Sequence, residues 1–225
     1  MKKILSVILT LLVGLTAVFA IENSLDVNFA APIIVSVTKS DPVSALGYST
    51  TSETTTVLNG FGVNINDTVM LTRNLGARVG AGFLWPSQAN SSTKTTTTKP
   101  SGTNTDTSNS SVSYSDYYDS CFNFNLFAGV AIRPLMKKNY QLLITPGADF
   151  SWVNSKAKSA DSSSTDFKFG LGVDFTFEFN VYKKFYANVS LPCVYQFVQS
   201  TDGKSNDDFK GCFRMMPQIG VGYRF

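Results

Sequence analysis

The stretch "FKFGLGVDFTFEFNVY", residues 167–182, alternates without an error between large apolar side chains and small, polar or charged ones. Phe167, Phe169, Leu171, Val173, Phe175, Phe177, Phe179 and Val181 hold the odd positions; Lys168, Gly170, Gly172, Asp174, Thr176, Glu178 and Asn180 hold the even ones. A period of two sends successive side chains to opposite faces, so the segment is a strand with one apolar and one polar face. Soluble strands run to about 5 or 6 residues, whereas a tilted strand crossing a bilayer needs roughly 9 to 11. The length favours a membrane, provided the rest of the chain agrees.

The first twenty residues, "MKKILSVILTLLVGLTAVFA", place Lys2 and Lys3 before an apolar run and end on Val18-Phe19-Ala20. This is the pattern of a secretory signal peptide cleaved after Ala20. An uncleaved anchor helix is the competing reading, but the run falls short of the ~20 residues a spanning helix needs. The expected domains are therefore a signal peptide, residues 1–20, and one barrel domain, residues 21–225. Taking Lys2 and Lys3 from the 19 Lys and Arg leaves 17 against 16 Asp and Glu. Such a balance gives no footing for nucleic-acid binding.

Period-two patterning recurs at residues 25–37, 57–65, 75–85, 122–132, 142–152, 185–197 and 213–225, which makes eight candidate strands with the opening one. Their connections sort into two kinds. "NINDT", "RPLMKKN" and "YKK" are short, while the polar connections near residues 38–56, 86–117, 154–165 and 199–209 are long, and the two kinds fall at opposite ends of the strands. Short periplasmic turns and long outside loops are the asymmetry of a transmembrane barrel.

A soluble eight-stranded barrel would turn the apolar face inward instead. Three features favour lipid outside. Aromatics gather where strands meet loops, with Trp85, Tyr114, Tyr117, Tyr118, Trp152 and Tyr195 at the long-loop end and Tyr140, Tyr182, Phe185, Tyr186 and Tyr223 at the other; bilayer interfaces select such belts. Glycines occupy much of the polar face, as a narrow interior requires. The chain also ends on an aromatic strand, "IGVGYRF". The fold expected is all-β, an eight-stranded antiparallel transmembrane β-barrel.

With Phe225 last and Tyr223, Val221 and Ile219 at alternate positions before it, "IGVGYRF" resembles the terminal strand signature of Gram-negative outer-membrane barrels. "GFGVNINDTVML", residues 60–71, resembles the second hairpin of the small OmpW and OmpX type. The resemblance implies a bacterial outer-membrane location, contact with outer-membrane lipid, and recognition of Ile219, Val221, Tyr223 and Phe225 by the barrel assembly machinery. It also implies OmpW-like passage of small molecules, hydrophobic ones included, through a gap in the wall.

Some barrels of this size are enzymes that pair His with Ser, Asp or Glu. This chain contains no His, so the usual base that titrates near neutrality is missing, and no catalytic residue, cofactor or metal site is expected. Cys121, Cys193 and Cys212 lack metal-ligand spacing. Strand parity turns Cys121 and Cys212 inward on opposite walls, beyond the ~7 Å between Cα atoms that a disulfide spans, so three unpaired thiols are expected.

Parity places Arg78, Asp149, Lys168, Asp174, Glu178, Arg214 and Arg224 inside, and Arg78 and Arg214 are expected to meet Asp149 or Asp174. Buried charges must pair, which gives a plug; the competing reading is a small-solute path between them. Pro32 and Pro217 fall on the two strands that close the barrel, where each removes a ladder donor. They mark either a candidate wall opening for a small-molecule ligand or two simple bulges. Residues 87–115 hold 17 Ser or Thr among 29 and are expected to be mobile and solvated. They leave open a second function, that of a closed barrel acting as adhesin or surface antigen.

Overall fold

Alternating segments become antiparallel strands because each can bury one face only by joining neighbours into a closed wall. The computed structural model describes residues 21–225 apart from 41, 46, 47, 160 and 207, so the expected signal peptide lies outside the described residues. In chain order the elements are β1 (Glu22–Ala30), β2 (Ile33–Lys39), β3 (Val43–Ala45), β4 (Tyr48–Met70), β5 (Leu75–Lys99), β6 (Gly102–Ser113), α1 (Tyr114–Tyr117), β7 (Tyr118–Met136), β8 (Tyr140–Ala157), β9 (Ser164–Tyr182), β10 (Phe185–Thr201), β11 (Lys204–Ser205), β12 (Phe209–Met215) and β13 (Gln218–Arg224). β1 with β2, and β12 with β13, are two staves each interrupted at a proline. With β4, β5, β7, β8, β9 and β10 they make eight staves. β1 pairs with β13 and β2 with β12, which closes the ring.

The faces are inverted relative to a soluble barrel. On β9, Asp174, Thr176 and Glu178 are 4%, 0% and 0% exposed, whereas Phe175 and Phe179 are 44% and 46% exposed. The same inversion puts Asn64, Asn66 and Arg78 inside and Phe61, Ile65 and Phe83 outside. A continuous apolar exterior over a polar core is stable only against hydrocarbon. Among the described residues no helix is long and apolar enough to cross a membrane, so strands alone span it.

Glycines make room where the narrow interior must take a large side chain. Gly129, Gly147 and Gly172 lie side by side across β7, β8 and β9. A Cβ on Gly147 would come within 2.8 Å of the Phe127 ring, and Phe127 fills the space these glycines leave.

Several expected boundaries move. "NINDT" lies inside β4, and the turn falls at residues 71–74; β7 runs on to Met136, which takes Arg133 out of the turn and into the interior at 3% exposure. The largest correction concerns residues 87–115. Instead of a mobile loop, they form a paired ribbon in which β5 and β6 match from Gln88↔Ser113 to Lys99↔Gly102, while β4 pairs along the other edge of β5. Hydroxyls face each other across that edge at 3.1–3.4 Å, Thr50 with Thr97, Ser52 with Thr95, Thr54 with Thr93 and Thr56 with Ser91. Polarity excludes a buried core but not a two-sided wet ribbon, and β-branched Thr in register with an existing hairpin favours the extended form. The belts also shrink: Tyr186 is 1% exposed inside the barrel, and Tyr114 and Tyr118 line its mouth.

Candidate functional site in the barrel interior

Inward positions from every stave meet in three layers of paired charge. At the short-turn end, Arg133 donates from both terminal nitrogens to the two Glu22 oxygens at 3.0 Å. Arg224 lies 3.3 Å from Glu22 and 2.5 Å from Glu178. In the middle, Arg78 is 0% exposed, 3.3 Å from Asp26 and 3.2 Å from Asp174, and donates to Thr68 Oγ1 at 2.8 Å. Asp26 also accepts from Asn66 Nδ2 at 2.7 Å, from the Tyr186 hydroxyl at 3.3 Å and from Asn28. In the outer layer Arg214 pairs with Asp149, and Gln196 donates to Asp149 at 2.7 Å. Charges in so dry a place persist only when each has an opposite partner and hydrogen bonds.

The structure thus brings Arg78 to Asp174 and Arg214 to Asp149, and sets Glu178 against Arg224. It does not bring Lys168 into these layers. Lys168 stands half-buried at the outer mouth, its ammonium 5.7 Å from the centre of the Phe209 ring. Lys168 pairs with Ser151 and Gln199, beyond the level where Gly170 meets Asp149 and Gln196 and past the bulge at Phe197 on β10, so it sits above the Arg214 layer. Asp26, Glu22 and Arg133 complete the network without having been singled out in the sequence, together with Tyr186, which was expected in the short-turn aromatic belt. Parity on β1 points Asp26 inward beside Asn28, and that signal was available; Arg133 was hidden by the misplaced turn.

The interior is closed at mid-height. The cavity between Asn64, Asn125, Asp174 and Arg214 measures about 20 Å³, little more than one water occupies. Above Arg214 the barrel opens into an outer cavity of about 110 Å³, with Ile34, Leu58, Pro86, Tyr114, Tyr118 and Val153 as apolar walls and Asp166, Lys168, Gln196 and Arg214 as polar groups. A groove of about 280 Å³ under the ribbon adjoins it, sharing Leu58, Tyr114 and Tyr118. At this rim, beyond the girdle of Trp85 and Trp152, burial and then Asp166 push the Cys121 thiol up to about 11. Burial likewise raises the Tyr114 phenol. Both are neutral at physiological pH, so the mouth's charges are Asp166, Lys168 and Arg214.

One wall of the outer cavity is the closing seam, since Ile34 and Arg214 are direct partners across β2 and β12. Just below them both staves break. Pro32 is buried and Pro217 exposed. Pairing resumes only at Ala30↔Gln218, and a single bond from Ala31 N–H to the Pro217 carbonyl, 2.9 Å, spans the gap. Pro192 on the next stave accepts from Met216 N–H at 3.0 Å. Ala30, Leu84 and Met216 pack behind the break. Cys121, Cys193 and Cys212 stand unpaired, and among the described residues no cluster of three or more His, Cys, Asp or Glu could hold a metal ion.

A closed eight-stave wall with lipid outside and paired charge inside defines an integral β-barrel of the bacterial outer-membrane class. The fold is similar to that of Neisserial surface protein A, at 14% identity and a TM-score of 0.54 over 90% of this chain and 97% of that one. It is also similar to the outer membrane protein OprG from Pseudomonas aeruginosa, at 13% identity and a TM-score of 0.54 over 92% and 97% of the two chains. No family model and no curated protein sequence matches the chain.

Proposed function

We propose that this barrel takes small amphipathic molecules into its outer mouth and releases them sideways into the membrane at the Pro32/Pro217 seam, with no through-passage to the periplasm and no catalytic step. The observation that carries the reading is the outer cavity. It is part apolar, its floor is the Arg214–Asp149 pair, and its side wall includes the β2–β12 pairing, which ends just below Arg214 at the Pro32/Pro217 break. A solute entering there meets the Arg214–Asp149 pair below it and the closing seam beside it, and the interruption begins one residue lower, where pairing stops at Ile33↔Met215. The outward row Ile219, Val221, Tyr223 and Phe225 is proposed as the signal read by the barrel assembly machinery.

A lock across the seam tests the reading. Val35 and Phe213 are direct partners on β2 and β12, and opposed antiparallel residues lie about 4.5–5.5 Å apart at Cα, within disulfide reach. With the three native cysteines replaced by alanine, Val35→Cys and Phe213→Cys are introduced together. Cells expressing the reduced protein are expected to take up the small apolar dye 1-N-phenylnaphthylamine faster than cells with an empty vector; oxidation should remove most of that increment and reduction restore it. Equal uptake in the locked and unlocked states would overturn the sideways route. The competing role of surface adhesin is favoured by one feature, the outer edge of β6, which among the described residues has no neighbour in the sheet order and is open to strand addition.

A further inference from the structure

The two ends of the barrel differ in charge. The short turns at residues 71–74, 137–139 and 183–184 carry Arg73, Lys137, Lys138, Lys183 and Lys184, all exposed, and no acidic residue. The acidic groups nearest this end are few: Glu22 is held by Arg133 and Arg224, Glu178 lies inside, and Asp67, half-buried on the outward row of β4 between Leu25 and Val79, is a single carboxylate against the five cations. None of the five cations belongs to an ion pair among the described residues. The outer end mixes signs, with Lys94 and Lys99 against Glu53 and Asp106, and Lys156 and Lys158 against Asp161 and Asp166.

Position as well as sign matters. The Lys183 ammonium stands 5.0 Å from the centre of the Tyr182 ring, and that of Lys184 5.9 Å from the Tyr223 ring. Both tyrosines belong to the outward row, and Tyr182 is 62% exposed. A tyrosine at that height sits at the boundary between hydrocarbon and headgroups, so an ammonium resting over it lies at the depth of lipid phosphates. The cations ring the outside of the wall and do not converge on the lumen.

We propose that this inner rim binds the headgroups of anionic phospholipids, of the phosphatidylglycerol type, in the leaflet at the short-turn end. A cation close to an anionic surface strengthens association about fivefold, and the gain falls with salt. The aromatic seats favour lipid over a soluble acidic polymer, which would meet the turns from water and gain nothing from tyrosines at the hydrocarbon boundary.

The test reconstitutes the protein in phosphatidylcholine vesicles and measures, by electron spin resonance, the motionally restricted fraction of spin-labelled phosphatidylglycerol and of spin-labelled phosphatidylcholine. The expected result is a preference of several-fold for phosphatidylglycerol that collapses in 0.5 M salt (about a 4 Å Debye length). It should fall towards one in a variant with Lys137, Lys138, Lys183 and Lys184 all replaced by glutamine, and stay in Lys156→Gln/Lys158→Gln. Equal restriction of the two lipids, or a preference untouched by salt, would overturn the proposal with the unaltered protein alone. So would binding of soluble polyglutamate without any lipid preference, which would assign the rim to an acidic polymer.

Discussion

Arg78→Ala is expected to cost the barrel more stability than any other single change in its interior. The guanidinium is fully buried and answers two carboxylates, Asp26 at 3.3 Å and Asp174 at 3.2 Å. Removing it strands both acids where water cannot reach them, and breaking a buried pair in this way costs about 3–5 kcal/mol. Reversible urea unfolding in lipid vesicles, followed by tryptophan emission, should show the loss, together with a weaker shift between boiled and unboiled mobility on a gel. Adding Asp174→Ala should recover part of it, because one stranded charge goes with the change. Lys168→Ala, at the wetter mouth, should cost well under 1 kcal/mol. A small effect of Arg78→Ala would mean that the paired layers do not hold the interior together.

Phe175→Arg should be nearly as severe, for a different reason. Phe175 points outward near the middle of β9, and a cation on the lipid face costs about 2–4 kcal/mol at the midplane but only about 0–1 near an interface. Phe167→Arg, on the same face at the outer rim, should therefore be tolerated. The contrast between the two positions is the informative quantity, since burial inside a soluble barrel would penalise a cation at both. Equal penalties would contradict lipid contact.

The wall was legible because it is made of one repeated local rule. Fifteen alternating residues around Phe175 fix the period, the period fixes the faces, and the faces name Arg78, Asp149, Asp174 and Arg214 as interior groups. Parity says which way a side chain points but not at what height. Lys168 shares the face of Asp174, yet it stands above a bulge and reaches the mouth. Arg133 was lost because Pro134 and two lysines look like a turn, while β7 runs on through Arg133 and Pro134 to Met136 with a bulge between Ile132 and Leu135, and only the lysines stay in the turn. The Thr ribbon was read as loose chain because composition reports the lack of a core and says nothing about register, which the hairpin below it supplies. Tyr186 was placed in an aromatic belt by its type, although its even position on β10 already turned it towards Asp26.

The central claim is a lipid-embedded barrel closed by its own charges, and planar-bilayer conductance of the unaltered protein, after its unboiled mobility confirms the fold, tests it most directly. Silence under applied voltage is the predicted result, because about 20 Å³ of open space at mid-height leaves no file for hydrated ions. Discrete conductance steps that change when Arg78 or Arg214 is replaced would show that ions pass between the paired layers, and would contradict the account.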